Sequence, residues 1–63
     1  MRLKEIRKAK GISQLKLALG LNTNQNTISR YETGEREPVA SILIKMADLY
    51  GVSIDYLVGR TDQ

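Results

Sequence analysis

Two helix-start residues, Ser13 and Asn24, stand so close together in this chain that the segments they open must meet at a sharp corner. Ser13 opens a helix over Gln14 to Leu21, and Asn24 opens another from Gln25 to about Thr33, closed by Gly34. About three residues, Asn22 to Asn24, remain to join them, which is the connection of a helix-turn-helix. Such a corner has steric demands. A small residue must sit mid-way along the first helix where the second crosses it, and Ala18 is there. The turn needs a residue that tolerates positive φ, and Asn22 serves. Apolar residues one turn apart must fix the second helix from beneath, as Ile28 and Tyr31 do.

The remaining breakers divide the chain in the same manner. Arg2 to Lys10 places Leu3 and Ile6 at i, i+3 among strong helix formers and stops at Gly11. Pro38 suits the start of a helix over Val39 to Tyr50, ended by Gly51, and Ser53 caps a short one over Ile54 to Leu57. The β-branched residues are scattered without period-2 alternation, so no sheet is expected. The reading is all-α: five short helices in one domain over residues 1–59, with a C-terminal tail at 60–63. The expected core is Leu3, Ile6, Ile12, Leu17, Ala18, Leu21, Ile28, Tyr31, Ala40, Leu43, Ala47, Tyr50, Val52, Ile54 and Leu57.

Residue types that are missing narrow the chemistry. The sequence holds no Cys and no His, which removes disulfides, thiolate metal sites and every mechanism built on imidazole. Glu35 and Glu37, the nearest thing to a carboxylate pair, fall in a turn, and no glycine-rich phosphate loop is present. An enzyme is not expected, nor a cofactor, a metal or a small-molecule substrate. The longest apolar run, Ile42-Leu43-Ile44, is broken by Lys45, far short of the ~18 residues of a membrane span. The start of the chain lacks the apolar stretch of a signal peptide, so a cytoplasmic location is expected.

Charge and polarity then point to a partner. The net charge is +3, but residues 1–16 carry Arg2, Lys4, Arg7, Lys8, Lys10 and Lys16 against Glu5, a local balance of +5. A basic N-terminal stretch of this kind favours a polyanion. Asn24, Gln25, Asn26 and Thr27 are four consecutive amide or hydroxyl side chains at a helix start, with Arg30 one turn beyond Asn26. Gln and Asn match the donor–acceptor edge of adenine and Arg forks onto guanine, each good pair giving roughly 1–3 kcal/mol of discrimination. Gln25, Asn26 and Arg30 share one side of that helix and Ile28 and Tyr31 the other, the arrangement of a base-reading helix in a major groove.

Three ordered blocks carry a resemblance: L-K-E-I-R-K-A-K-G-I-S-Q at 3–14, Q-N-T-I-S-R-Y-E-T-G-E-R-E-P at 25–38, and L-I-K-M-A-D-L-Y-G-V-S-I-D-Y-L-V-G at 43–59. From Leu3 to about Gly59 the chain resembles a lambda-repressor-like DNA-binding domain of the Cro/CI, or XRE, type. The resemblance implies a bacterial or phage transcriptional regulator, a repressor, whose third helix reads the major groove of an operator. It places Gln14 at a phosphate-contacting position and Gln25, Asn26 and Arg30 at base-reading ones, with Thr23, Asn24 and Thr27 flanking them and Arg36 again near the backbone. Arg7 and Glu32 match a structural salt bridge between the first and third helices. It further implies a homodimer on an inverted repeat of double-stranded DNA, with self-contact through Ile54, Tyr56, Leu57 and Val58. The alternative to self-contact is a C-terminal partner domain, this chain being an N-terminal fragment.

The chain also departs from that pattern. Asn22 stands where the turn usually has Gly, Gly20 lies within the second helix, and Leu15 and Leu19 occupy positions that are usually polar. The two leucines are expected to pack against the first or fourth helix; exposed, they would instead meet a partner. An antitoxin-like protein-interaction module, using Leu15, Leu19, Tyr56 and Val58, is the alternative function.

Overall fold

Capping chemistry sets the helix boundaries in the computed structural model, which describes residues 1–60. Five α-helices run in order: α1 over Leu3–Ala9, α2 over Gln14–Gly20, α3 over Gln25–Thr33, α4 over Ala40–Tyr50 and α5 over Ile54–Val58. No strand occurs among the described residues. The all-helical architecture is the expected one. Of the tail at 60–63, only Arg60 is among the described residues; its N–H donates to the Asp55 carbonyl at 2.8 Å.

The three sequence-read caps are made. Ser13 Oγ accepts from the Lys16 N–H at 3.0 Å, Asn24 Oδ1 from the Thr27 N–H at 2.8 Å, and Ser53 Oγ from the Tyr56 N–H at 3.1 Å. Each such cap stabilises its helix by about 1 kcal/mol. Helix α4 differs from expectation by starting at Ala40. Val39 is its N-cap, with no side-chain bond, and its carbonyl accepts from the Ile42 and Leu43 N–H groups, both at 3.0 Å.

Leu3, Ile6, Leu17, Ala18, Leu21, Ile28, Tyr31, Ala47, Tyr50 and Leu57 are buried, and Ile12, Leu43 and Val52 pack partly buried against them. Two expected core residues lie outside: Ala40 is exposed and Ile54 is 40% exposed. Each is the first residue of its helix, so the end overhangs a core that the same face reaches a turn later, at Leu43 and Leu57. Met46, absent from the expected core, is fully buried. It completes a stripe with Leu43, Ala47 and Tyr50 at helical spacing, and its unbranched thioether suits an irregular gap. Burying one such large apolar side chain contributes about 1.5–3 kcal/mol, a large fraction of a small domain's whole margin.

Candidate nucleic-acid interface

The corner between α2 and α3 closes with a specific hydrogen-bond pattern. Asn22 is the one described residue other than glycine at positive φ, 57°. Its N–H donates to the Leu19 carbonyl at 3.2 Å and the Thr23 N–H donates to that of Ala18 at 2.9 Å. These two bonds form a Schellman motif, which satisfies helix-end carbonyls and turns the chain back at once. Ala18, on the inward side of α2, is 1% exposed, so a larger side chain there would have to displace its neighbours. The sharp corner therefore comes from the residues that the sequence singled out.

This corner holds α3 with Ile28 and Tyr31 buried and with Gln25, Asn26 and Arg30 exposed. Ser29 is partly exposed and falls between Gln25 and Asn26 when positions advance by 100°. The sequence reading passed over it, because a lone serine in a helix carries no signal beyond its place on the wheel. Asn24 and Thr27, expected to flank the ridge, are engaged with each other. Thr27 Oγ1 donates to Asn24 Oδ1 at 3.0 Å, in addition to the capping bond. The Asn24 amide hydrogens and the Thr27 oxygen lone pairs are what these two side chains can still offer. Thr23 is partly exposed beside the turn.

Beneath the ridge lies a buried ion pair. Arg7 Nε donates to Glu32 Oε2 at 2.6 Å and Arg7 Nη2 to Glu32 Oε1 at 3.3 Å, the side chains being 9% and 3% exposed. Arg7 Nη1 donates to the Ile12 carbonyl at 2.8 Å, so one guanidinium ties α1, the α1–α2 loop and α3 together. The Glu32 hydrogen bond raises the pKa of Arg7, outweighing the opposite effect of burial, so its charge is secure. The pair continues outward. Gln14 Nε2 donates to Glu32 Oε1 at 2.9 Å, and Gln25 Nε2 donates to Gln14 Oε1 at 3.2 Å. Gln14 and Gln25, both expected at the interface, are thus joined to each other and to the buried carboxylate. Nothing in the linear sequence signals the Glu32–Gln14 bond, which spans 18 positions.

The outlying cations are arranged differently from expectation. Arg30 Nε lies 3.7 Å from Glu35 Oε2, both exposed, so Glu35 partners the ridge arginine. Arg36 is exposed, its guanidinium 5.9 Å from the centre of the Tyr31 ring. Of the six N-terminal cations, Arg7 is buried and Arg2 sits over the Tyr56 ring at 5.0 Å, which leaves Lys4, Lys8, Lys10 and Lys16 exposed.

Two further expectations require correction. Leu15 and Leu19 do not pack against α1 or α4; they are 56% and 73% exposed. The inward stripe of α2 is Leu17, Ala18 and the following Leu21, which directs the two leucines to the opposite side. Leu57, assigned to self-contact, is fully buried, so its side chain serves the core of its own chain. Ile54, Tyr56 and Val58 retain accessible surface.

The sequence model of the helix-turn-helix family matches residues 3–57, which includes all five helices but the last residue of α5. The chain belongs to the helix-turn-helix family. It is 43% identical over 61 residues to the HTH-type transcriptional regulator ImmR of Bacillus subtilis, an alignment covering 97% of this chain and 48% of that protein. It is 38% identical over 60 residues to YonR, an SPbeta prophage-derived uncharacterized HTH-type transcriptional regulator of the same organism, covering 95% and 56%. The cryptic phage CTXphi transcriptional repressor RstR of Vibrio cholerae is 37% identical over 59 residues, covering 94% and 53%. This helix-turn-helix chain thus spans about half the length of the curated relatives it matches.

Proposed function

We propose that this helix-turn-helix chain binds double-stranded DNA in a sequence-specific manner, as the operator-binding part of a bacterial or phage transcriptional repressor. The observation that carries the reading is α3 itself. Its buried side is taken by Ile28 and Tyr31, while an uncharged hydrogen-bonding ridge, Gln25 and Asn26 with Arg30 beyond, faces out. A helix of 9 residues with such a ridge has the shape and the chemistry to enter a major groove about 12 Å wide. Gln14, Thr23, Asn24, Thr27 and Arg36 are assigned to phosphate or secondary base contacts around it, and Arg7 with Glu32 to support.

A domain of this size makes few phosphate contacts. A two-fold homodimer on an inverted repeat supplies the missing affinity, with Ile54, Tyr56 and Val58 as the self-contact. The reading assigns a binding module rather than an enzyme, working in the cytoplasm. Selection of duplexes from a random pool tests it. Recovered sequences should share a two-fold motif and shift in a gel, with affinity falling roughly tenfold or more between 50 and 200 mM salt. No shift at low salt would leave the second reading, an antitoxin-like protein-interaction module, which the outward Leu15 and Leu19 favour.

A further inference from the structure

We propose that Glu32 is a positioning residue that fixes the direction of the Gln14 and Gln25 side-chain amides, and thereby commits Gln25 to adenine rather than guanine. The inference rests on the reading of α3 as the groove-reading helix and deepens it. The argument begins with what each group is able to do. An ionised carboxylate accepts hydrogen bonds and donates none. Glu32 is placed as such an acceptor, both of its oxygens accepting from the donor-only guanidinium of Arg7, at 2.6 and 3.3 Å. Any amide that meets Glu32 must therefore present its NH2 end. Gln14 does so, with Nε2 2.9 Å from Glu32 Oε1.

The consequence passes along the chain of bonds. With its nitrogen turned inward, Gln14 presents its oxygen outward, and only a donor satisfies it. Gln25 must answer with its own NH2 end, as it does at 3.2 Å. One hydrogen of Gln25 is then engaged. What remains for a partner is one N–H and the carbonyl oxygen, a donor beside an acceptor. Adenine shows the complement of that pair in the major groove, the N7 acceptor beside the N6 amino group, whereas guanine shows two acceptors, N7 and O6. Reversed polarity would engage the Gln25 oxygen and leave both amide hydrogens, the pattern guanine matches. Gln14 meanwhile retains a second Nε2 hydrogen for a phosphate oxygen, so its two duties are compatible.

Arg7 makes a sharp test available. Arginine is donor-only, so in Glu32→Gln the new amide must turn its oxygen to Arg7 and its NH2 toward Gln14. The sequence of bonds should then reverse. The position at issue is the base pair whose preference disappears in Gln25→Ala among duplexes recovered from a random pool by the wild-type chain. We expect that pair to be A·T. The adenine-over-guanine affinity ratio there should fall about tenfold in Glu32→Gln, with preferences at other positions retained.

A ratio taken from one preparation is insensitive to any loss of folded protein. Gln14→Ala keeps the Arg7–Glu32 pair and should lower the same ratio, along with a general loss from the phosphate contact. In the Gln25→Ala background the Glu32→Gln change should have no further effect on that position. A full adenine preference in both Glu32→Gln and Gln14→Ala overturns the proposal. So does a Gln25 position that prefers a pair other than A·T, or a Glu32→Gln effect that persists without Gln25. A wild-type chain that selects no sequence at all sinks the groove-reading assignment itself.

Discussion

Several residues of this chain hold conformations or pKa values that only their surroundings explain. Asn22 tolerates φ of 57° because its short polar side chain tempers the steric penalty of the left-handed region. Asn22→Ala should lose about 1 kcal/mol in urea denaturation, and Asn22→Gly should lose nothing. Tyr50, 2% exposed, donates its hydroxyl to the Leu3 carbonyl at 3.3 Å. Burial, with the nearby charge of Glu32, pushes its pKa from 10.0 up to about 12, the charge of Arg7 working against them. Both folded and unfolded chains keep the phenol neutral below pH 10. Above that the unfolded chain ionises first, so the Tyr50 contribution to stability declines between about pH 10 and 12. Denaturation midpoints of wild type and Tyr50→Phe across that window should converge; a constant gap would contradict the account. On the functional side, Arg30→Ala should lose about 1–3 kcal/mol and relax preference at one base pair, whereas an equal loss on every duplex would mean that it touches only phosphate.

The elements show which parts of the structure were legible and why. Caps and stops are local chemistry, so Ser13, Asn24, Ser53 and Gly34 marked their helices from sequence. The three residues of the turn and the small Ala18 sufficed for the corner. Gly20 remained unexplained until α4 was in place. A methyl group there would come within 3.1 Å of Leu49 Cδ1, a contact between helices that no local pattern encodes. Leu49 is half exposed and its methyl is free to yield, so Gly20→Ala should raise stability by up to about 1 kcal/mol through better helix propensity. The Arg7–Glu32 pair was legible only through family resemblance, since 25 positions separate the partners. Glu32→Ala would strand a buried guanidinium and should cost about 3 kcal/mol, read as a marked fall in melting temperature. An unchanged melting curve would remove that pair from its supporting role.

For the whole molecule, what is placed inside and outside decides what the surface can do. The sequence shows a basic N-terminal stretch, yet the fold buries Arg7 and lays Arg2 on Tyr56, so the charge on offer is smaller than the linear tally. Two leucines that composition would place inside are outside, and replacing Leu15 or Leu19 by Lys should change stability by less than about 0.5 kcal/mol in thermal melts. Those positions were misjudged because two apolar residues four apart on a helix look alike whether or not a neighbour covers them. The outward side chains of α3 show the opposite case. Ile28 and Tyr31 anchor that helix from below, while Asn26 and Arg30 lie outside the interior. Mooring and message are thus written in different letters of one short segment. A lineage built on this skeleton is free to rewrite the message, one exchange at a time, and acquire new addresses on a genome while its melting point stays where it was.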